Sequence, residues 1–447
     1  IYVFLAKPIY MLTHDANLSF LIINLLATGF GAIAIYLFSK KLFNKPSAIA
    51  ASLLFLSSPA IYFHSLAAFT YMLDGCFIMF LAYFAYLSLT EIKLKYAILS
   101  AIFLGLSAGA RQQDIVLLFP LFLYGIHKQK FKNIIISILT LAIVCFSWAI
   151  PMIYLSGGVK SYISACKIQA ECGEHGNILI LFNYWVRTGG KLLRIISKVI
   201  TIGLIPLIII AIINFKKIIR DKKTIFFAFW IIPCLLFWFN FHLSNLGHTF
   251  TCIWAIFPIL AYALYVGTLH ATSLQKIIFL CVFVNIIVFF FDPKPHKPFK
   301  NKTWYQEADL RKRNDFMKYK IQYIKENFSP SDTIILADTG GSGNLAQAGY
   351  YLPEFSFYHL NALIDKGKFT VLFTKNREYV KVIDETSVFS IPNAIKNIVL
   401  FDEIYPKYLV NSNIMDSIYL DKNIYIQIIK VNDKNKIKYD YKKWEII

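Results

Sequence analysis

Charge is scarce in this sequence: only 16% of its 447 residues are Asp, Glu, Lys or Arg, against about a quarter in soluble domains. Hydrophobic residues make up 57% and mean hydropathy is +0.55, which excludes an ordinary cytosolic enzyme and a disordered chain. Cysteine is sparse too. Of the seven present, Cys76, Cys145, Cys234, Cys252 and Cys281 lie in apolar runs. No Cys-x-x-Cys pair or Cys/His spacing points to zinc, and a small disulfide-built secreted domain is excluded. Acidic residues are the rarest charges, 26 against 46 basic, for a net charge of +20. In a soluble protein that excess would suggest nucleic-acid binding. In an apolar chain it is first a topology signal, because basic residues of membrane proteins collect in cytoplasmic loops.

What is abundant is long apolar sequence. A membrane span needs about 20 apolar residues, and about ten segments approach that length. They lie near 19–38, 47–65, 68–90, 95–110, 112–127, 133–155, 193–214, 224–241, 249–268 and 275–291. Several carry proline, which membrane bundles tolerate. From residue 293 Lys, Asp, Glu and Asn become frequent and apolar runs shrink to strand length. The expected architecture is a polytopic α-helical membrane core over 1–292, with an outer loop at 156–192, followed by a small α/β domain over 293–447. In that tail 302–327 suits an amphipathic helix, and TIILADT, VLFTK, NIVLFDEI and IYIQIIKV read as strands.

Alternation from a cytoplasmic turn at 39–46 also places 91–95, 127–132, 215–223 and 269–276 inside. These hold Lys40, Lys41 and Lys45, Lys93 and Lys95, Lys128, Lys130 and Lys132, the cluster Lys216 to Lys223, and Lys276. The opposite short turns hold almost no basic residue except Arg111. The pattern is positive-inside and places the 156–192 loop and the tail outside the cytoplasm of a plasma (inner) membrane. It absorbs much of the basicity, so nucleic acid is not an expected partner. The tail's lysines suit an anionic membrane surface.

Ionisable residues at membrane depth are costly and are functional candidates by default. Asp74 sits in FTYMLDGCF, and Arg111 in GLSAGARQQDIVLLFP on the outer side. Arg presents a planar fork of donors suited to phosphate; the competing reading is an ion pair with Asp74 or Asp114. Gln112, Gln113 and Asp114 continue a polar cap. His64, His242 and His248 lie at outer turns, where interfacial packing competes with a site role. Together these residues suggest a polar cavity opening outward, with 156–162 at its rim. Lys160, Lys167, Arg187, Lys191 and Arg194 either solvate the long loop or attract lipid phosphate. Gly105 and Gly109, four apart, permit close helix packing. Cys166 and Cys172 are spaced to pair in an oxidising compartment or to stay free. ILADTGGSGN (335–344) has a strand and Gly-rich loop but no Walker Lys. Its Asp338-Thr339-Gly340 lacks the second loop that an aspartic-protease dyad needs.

The stretch IYLFSKKLFNKPSAIAASLLFLSSPAIYFHS, the span carrying Asp74, and FLGLSAGARQQDIVLLFPLFLY resemble the membrane core of the glycosyltransferase C superfamily. The branch is family-39-like, related to protein mannosyltransferases. FSWAIPMIYLSGGVKSY, FWIIPCLLFWFNFHLSNLGHTFTCIWAIFPIL and YYLPEF extend the resemblance. It implies an enzyme of the cell envelope that moves a hexose or pentose from a polyprenyl-phosphate donor to a lipid, glycan or protein acceptor outside the cytoplasm, with inversion. No cofactor is implied, and the resemblance leaves a metal ion open. Such a reaction needs a cation against the lipid-phosphate leaving group and a carboxylate base for the acceptor hydroxyl. The resemblance puts that base in the first outer loop, which would precede IYVFLAKPIYML, so it is expected to lie outside the sequence. Asp15 does not match it. Asp74 matches a span-borne acidic position with a supporting role, and Arg111, Gln112, Gln113, Asp114, His64 and His248 are the substrate-binding candidates. A transporter or flippase of a lipid-linked substrate is the alternative, although no paired repeat supports it.

Overall fold

The structure is a computed structural model. It describes the chain except for residues 173–181, 200, 241–245, 268–270, 292–306, 338–343, 364–367, 374–380, 384–387, 391–392, 403–408, 411–413, 422–423, 432–435, 441–442 and 447. It divides into two compact units, Ile1–Ala308 and Asp309–Ile447.

The first unit is helical. Among the described residues four helices are long and apolar enough to cross a membrane: Ala16–Leu42, Tyr71–Glu91, Phe131–Leu155 and Gly247–Val266. The pair Lys45–Ser57 and Pro59–Ser65 makes a fifth, bent by 60° where Pro59 opens the second helix and cannot continue the first. Leu94–Ala110, Asp114–Ile126, Lys223–Phe239 and Gln275–Phe290 are apolar but shorter. The expected span at 193–214 is not one helix. Phe182–Val199 ends, a single turn at Ile202–Leu204 follows, and Ile205–Ile213 begins with Pro206 in its first turn. The stretch read as an outer loop carries helices Val159–Cys172 and Phe182–Val199. Cys166 is free and exposed; the side chains of Cys172, Arg187 and Arg194, and His242, lie outside the described residues.

Ion pairs gather the lysine-rich turns at one end of this unit. Lys41 and Lys93 both reach Glu91, at 2.8 and 3.0 Å, which ties turn 39–46 to turn 91–95. Lys223 Nζ lies 5.5 Å from the Phe43 ring centroid and 3.6 Å from Asp221 Oδ2, which brings 215–223 to the same end. Asp15 caps Ala16–Leu42, its carboxylate accepting from the Leu18 N–H at 3.1 Å.

Small residues admit large ones in the core. Trp254 is fully buried and fills the space that Gly31 and Gly75 leave open: a Cβ at Gly75 would lie 2.4 Å from its ring. Gly105 and Gly109 both face Phe131–Leu155, where a Cβ would meet Val144 at 2.6 Å and Trp148 at 2.8 Å. Trp148 Nε1 donates to the Gly105 carbonyl at 3.0 Å.

The second unit is α/β. Thr333–Leu336 is its central strand, parallel to Ser356–Leu363 on one side and to Asn397–Leu400 on the other. All four of its residues are buried, as expected for a parallel strand covered on both faces. Lys368–Phe373 and Lys381–Ile383 extend the sheet antiparallel beyond Ser356–Leu363. Ile424–Lys430 and Ile414–Asp421 extend it beyond Asn397–Leu400. A second sheet joins Val388–Ser390, Lys436–Asp440, Lys443–Ile446 and Leu409–Val410. The core packs Ile335, Val399, Phe401 and Ile426 with Met317 and Ile324 of helix Glu307–Asn327. That helix also buries Lys320, whose Nζ donates to the Phe401 carbonyl at 2.5 Å and lies 4.1 Å from the Phe316 ring centroid.

Candidate active site

The end of the first unit that carries Arg111 is built from helix termini. Leu94–Ala110 stops at Arg111, whose extended backbone (φ −146°, ψ 104°) turns the chain. Asp114 then opens the next helix, its N–H bonded to the Arg111 carbonyl at 3.0 Å. Asp74 lies in the first turn of Tyr71–Glu91. Both carboxyls therefore sit at helix N-termini, where the backbone dipole favours negative charge. Ser107, Arg111 and Asp114 are spaced four and three residues apart, which places them on one side of the helix end and turn.

Asp74 and Asp114 are both fully buried, and the Arg111 side chain is 10% exposed. Ser107 Oγ lies 2.9 Å from Asp74 Oδ1 and 2.9 Å from Asp114 Oδ2. Thr251 Oγ1 donates to Asp114 Oδ1 at 3.1 Å. Arg111 Nη1 is 3.6 Å from Asp74 Oδ2, an oxygen with no hydrogen-bond partner among the described residues. Arg111 Nη1 also donates to the carbonyls of Gly247 and His248, at 3.1 and 3.4 Å, and Nη2 reaches His248 at 3.5 Å. Its guanidinium carbon stands 5.5 Å from the Tyr71 ring centroid. Gly247 is required where the turn meets that ring: a Cβ there would lie 2.0 Å from Tyr71 Cε2.

The structure thus joins Asp74, Arg111 and Asp114 directly, and brings in His248 through its backbone carbonyl. His64 is one layer away. It is buried, its Nδ1 lies 2.7 Å from the Ala60 carbonyl, and its ring packs on Phe250 and Tyr71 at 4.9 and 6.0 Å. Gln113 is half-buried, and its carbonyl starts the next helix by accepting the Leu117 N–H at 3.1 Å. Gln112 is turned to other partners. Its Oε1 accepts from the Tyr162 hydroxyl at 2.7 Å and its Nε2 contacts Met152 Sδ at 3.3 Å. Among the described residues no group of three or more His, Cys, Asp or Glu could hold a metal.

Ser107, Thr251, Tyr71 and the Gly247 carbonyl belong to this cluster but were not singled out from the sequence. The spacing of Ser107 to Arg111 could have found the first. Nothing local marks Thr251, which is 137 residues from Asp114.

Known proteins resemble both the N-terminal part and the fold. Residues 1–154 match the family model described as dolichyl-phosphate-mannose-protein mannosyltransferase. No curated protein matches the chain in sequence. The crystal structure of ArnT from Cupriavidus metallidurans in the apo state is similar at TM-score 0.55 and 11% identity, over 96% of this chain and 86% of that one. The same protein bound to undecaprenyl phosphate is similar at TM-score 0.55 and 10% identity, over 96% and 87%. The N-terminal third of the chain is thus similar to the dolichyl-phosphate-mannose-protein mannosyltransferase family, and its fold is similar to that of the membrane protein ArnT.

Proposed function

We propose that this protein is an integral-membrane glycosyltransferase that moves a sugar from a polyprenyl-phosphate donor to an acceptor at the extracytoplasmic face, with inversion at the anomeric carbon. The observation that carries this reading is the state of Arg111. It is nearly buried, fixed by two carbonyls and by Asp74, yet its Nε–H and one Nη2–H have no acceptor among the described residues. That edge is the two-pronged side with which Arg binds oxyanions in bidentate fashion. A similar fold was crystallised with undecaprenyl phosphate, and a phosphate at such an edge fits the leaving group of the reaction.

In this reading Arg111 stabilises negative charge developing on the lipid phosphate as the glycosidic bond breaks. Asp74 orients Arg111 and holds it in place. Asp74 and Asp114 are too deeply buried to accept a proton directly from an acceptor in this arrangement, so the acceptor's base is another group. Gln112 and Tyr162 mark a separate polar contact suited to the acceptor side. The membrane core is 1–292, and 293–447 is an extracytoplasmic domain, in a plasma-membrane protein of the cell envelope.

The test is transfer from isotope-labelled polyprenyl-phosphate sugars by membranes carrying the protein. Arg111→Ala and Asp74→Asn should each abolish most transfer at unchanged expression. Full transfer by both variants would refute the assignment.

A further inference from the structure

Ser107 poses a problem of proton counting. A serine hydroxyl carries one proton and can donate one hydrogen bond. Its Oγ nevertheless lies 2.9 Å from an oxygen of each of two buried carboxyls, Asp74 and Asp114. Both contacts are full two-centre hydrogen bonds, rather than one proton split between two acceptors, when one of those carboxyl oxygens carries a proton and donates it to Oγ. Charge counting leads to the same place. Two carboxylates facing one guanidinium would leave an uncompensated buried negative charge, which is strongly unfavourable. One shared proton makes the group of Asp74, Asp114 and Arg111 neutral.

The geometry also gives the chain a direction. Asp74 is the carboxyl beside Arg111, at 3.6 Å, and so holds the negative charge at rest. Asp114 Oδ1 already accepts from Thr251, and its Oδ2 is the oxygen facing Ser107. The resting order is therefore Asp114 Oδ2–H to Ser107 Oγ, and Ser107 Oγ–H to Asp74 Oδ1. Tyr71 lies against Arg111, its ring centroid 5.5 Å from the guanidinium carbon.

We infer that Asp74, Ser107 and Asp114 form a one-proton relay that sets the charge facing Arg111. The inference rests on the functional reading above only for its consequence. When a phosphate takes the guanidinium, Asp114 passes its proton to Ser107 as Ser107 passes its own to Asp74. Two O–H bonds break and two form. The carboxylate charge moves to Asp114, where Thr251 and Ser107 both donate to it, and Asp74 becomes neutral beside the bound anion. Arg111 thereby exchanges one counter-ion for another without a proton from solvent. Ser107, Asp114 and Thr251 are positioning residues in this scheme.

Infrared difference spectroscopy of the full-length protein, with isotope-labelled aspartate, reads this directly. The wild type at neutral pH should show one carboxylic-acid carbonyl band that is lost in Asp114→Asn and equally lost in Asp74→Asn. Asn at 114 keeps a donor toward Ser107, so that variant should fold. Ser107→Ala, which removes only one oxygen, should shift the band. Three results overturn the relay: no band that either Asn substitution removes, two bands with each variant removing one, or a band lost in only one of the two variants. The spectrum needs no donor lipid. A protein with the band but without sugar transfer therefore refutes the functional reading alone, and transfer without the band refutes the relay alone.

Discussion

Replacing Arg111 by Met removes a buried charge while keeping the length of the side chain, and its cost follows from the pair it leaves. At the 3.6 Å between Arg111 Nη1 and Asp74 Oδ2, Coulomb's law with an effective dielectric of about 20 gives an attraction of about 4–5 kcal/mol. Breaking a buried pair from one side costs about 3–5 kcal/mol, because the remaining charge is stranded. Asp74 is fully buried, so the upper part of that range applies. Arg111→Met also deprives the Gly247 and His248 carbonyls of their donor. That loss is common to the single variant and to Arg111→Met with Asp74→Asn, and it cancels in a double-mutant cycle. Run in an Asp114→Asn background, where the charge cannot pass to Asp114, the cycle should yield a coupling energy of about 2–3 kcal/mol, with the double variant more stable than the single losses predict. Unfolding in mixed micelles, followed by tryptophan fluorescence, measures it. Losses that add to within about 0.5 kcal/mol would show that the two charges do not interact, and would refute the clamp.

Other parts of the molecule give independent expectations. Gly247→Ala should destabilise the first unit by about 1–3 kcal/mol, since its Cβ would lie 2.0 Å from Tyr71 Cε2; thermal unfolding checks this, and Tyr71→Ala in the same background should relieve it. Gly75→Ala should cost a similar amount, about 1–3 kcal/mol, against the fully buried Trp254, and Trp254→Leu should recover part of it. Burial works against the Asp221 charge, but the Lys223 N–H, the Tyr262 hydroxyl and the Lys223 ammonium hold its carboxyl below the ordinary value of 3.8. Its contribution to stability is thus complete above that value and is lost as pH falls through the lower folded one. The melting temperatures of wild type and Asp221→Asn should differ at neutral pH and converge in strong acid. Lys320→Ala should lower the stability of the second unit by about 2–4 kcal/mol, through the lost packing and the lost ring and carbonyl contacts; limited proteolysis of the full chain would report it.

The apolar runs made the helices visible because composition alone decides whether a segment suits lipid. The lysines made the shared end of turns 39–46, 91–95 and 215–223 visible, since charge alternates with topology. Arg111 stood out as the exception to the expected charge alternation; of its two readings, phosphate binding and an ion pair with Asp74 or Asp114, the structure shows the pair with Asp74. Three features were hidden for identifiable reasons. The run 193–214 is apolar throughout, but hydropathy does not report how Pro206 resets the backbone. Gln112 adjoins Arg111 in sequence, yet the turn after Ala110 sends it toward Tyr162 and Met152. Ser107 and Thr251 are common in membrane helices, and only the tertiary fold sets them against carboxyls. The partners that fix Arg111 are backbone carbonyls of Gly247 and His248, which have no signature in side-chain chemistry.

The central claim is that the sugar leaves its lipid. Proteoliposomes holding the purified full-length protein and a polyprenyl-phosphate sugar, labelled separately in sugar and lipid, test it directly when a mixture of acceptor lipids, glycans and proteins is supplied. With a glycosyltransferase the sugar label moves to an acceptor while the lipid label stays in the membrane as free polyprenyl phosphate. Arg111→Ala should stop this separation. If the two labels instead cross the bilayer together and never part, the protein is a transporter of the intact lipid-linked sugar, and the account is wrong.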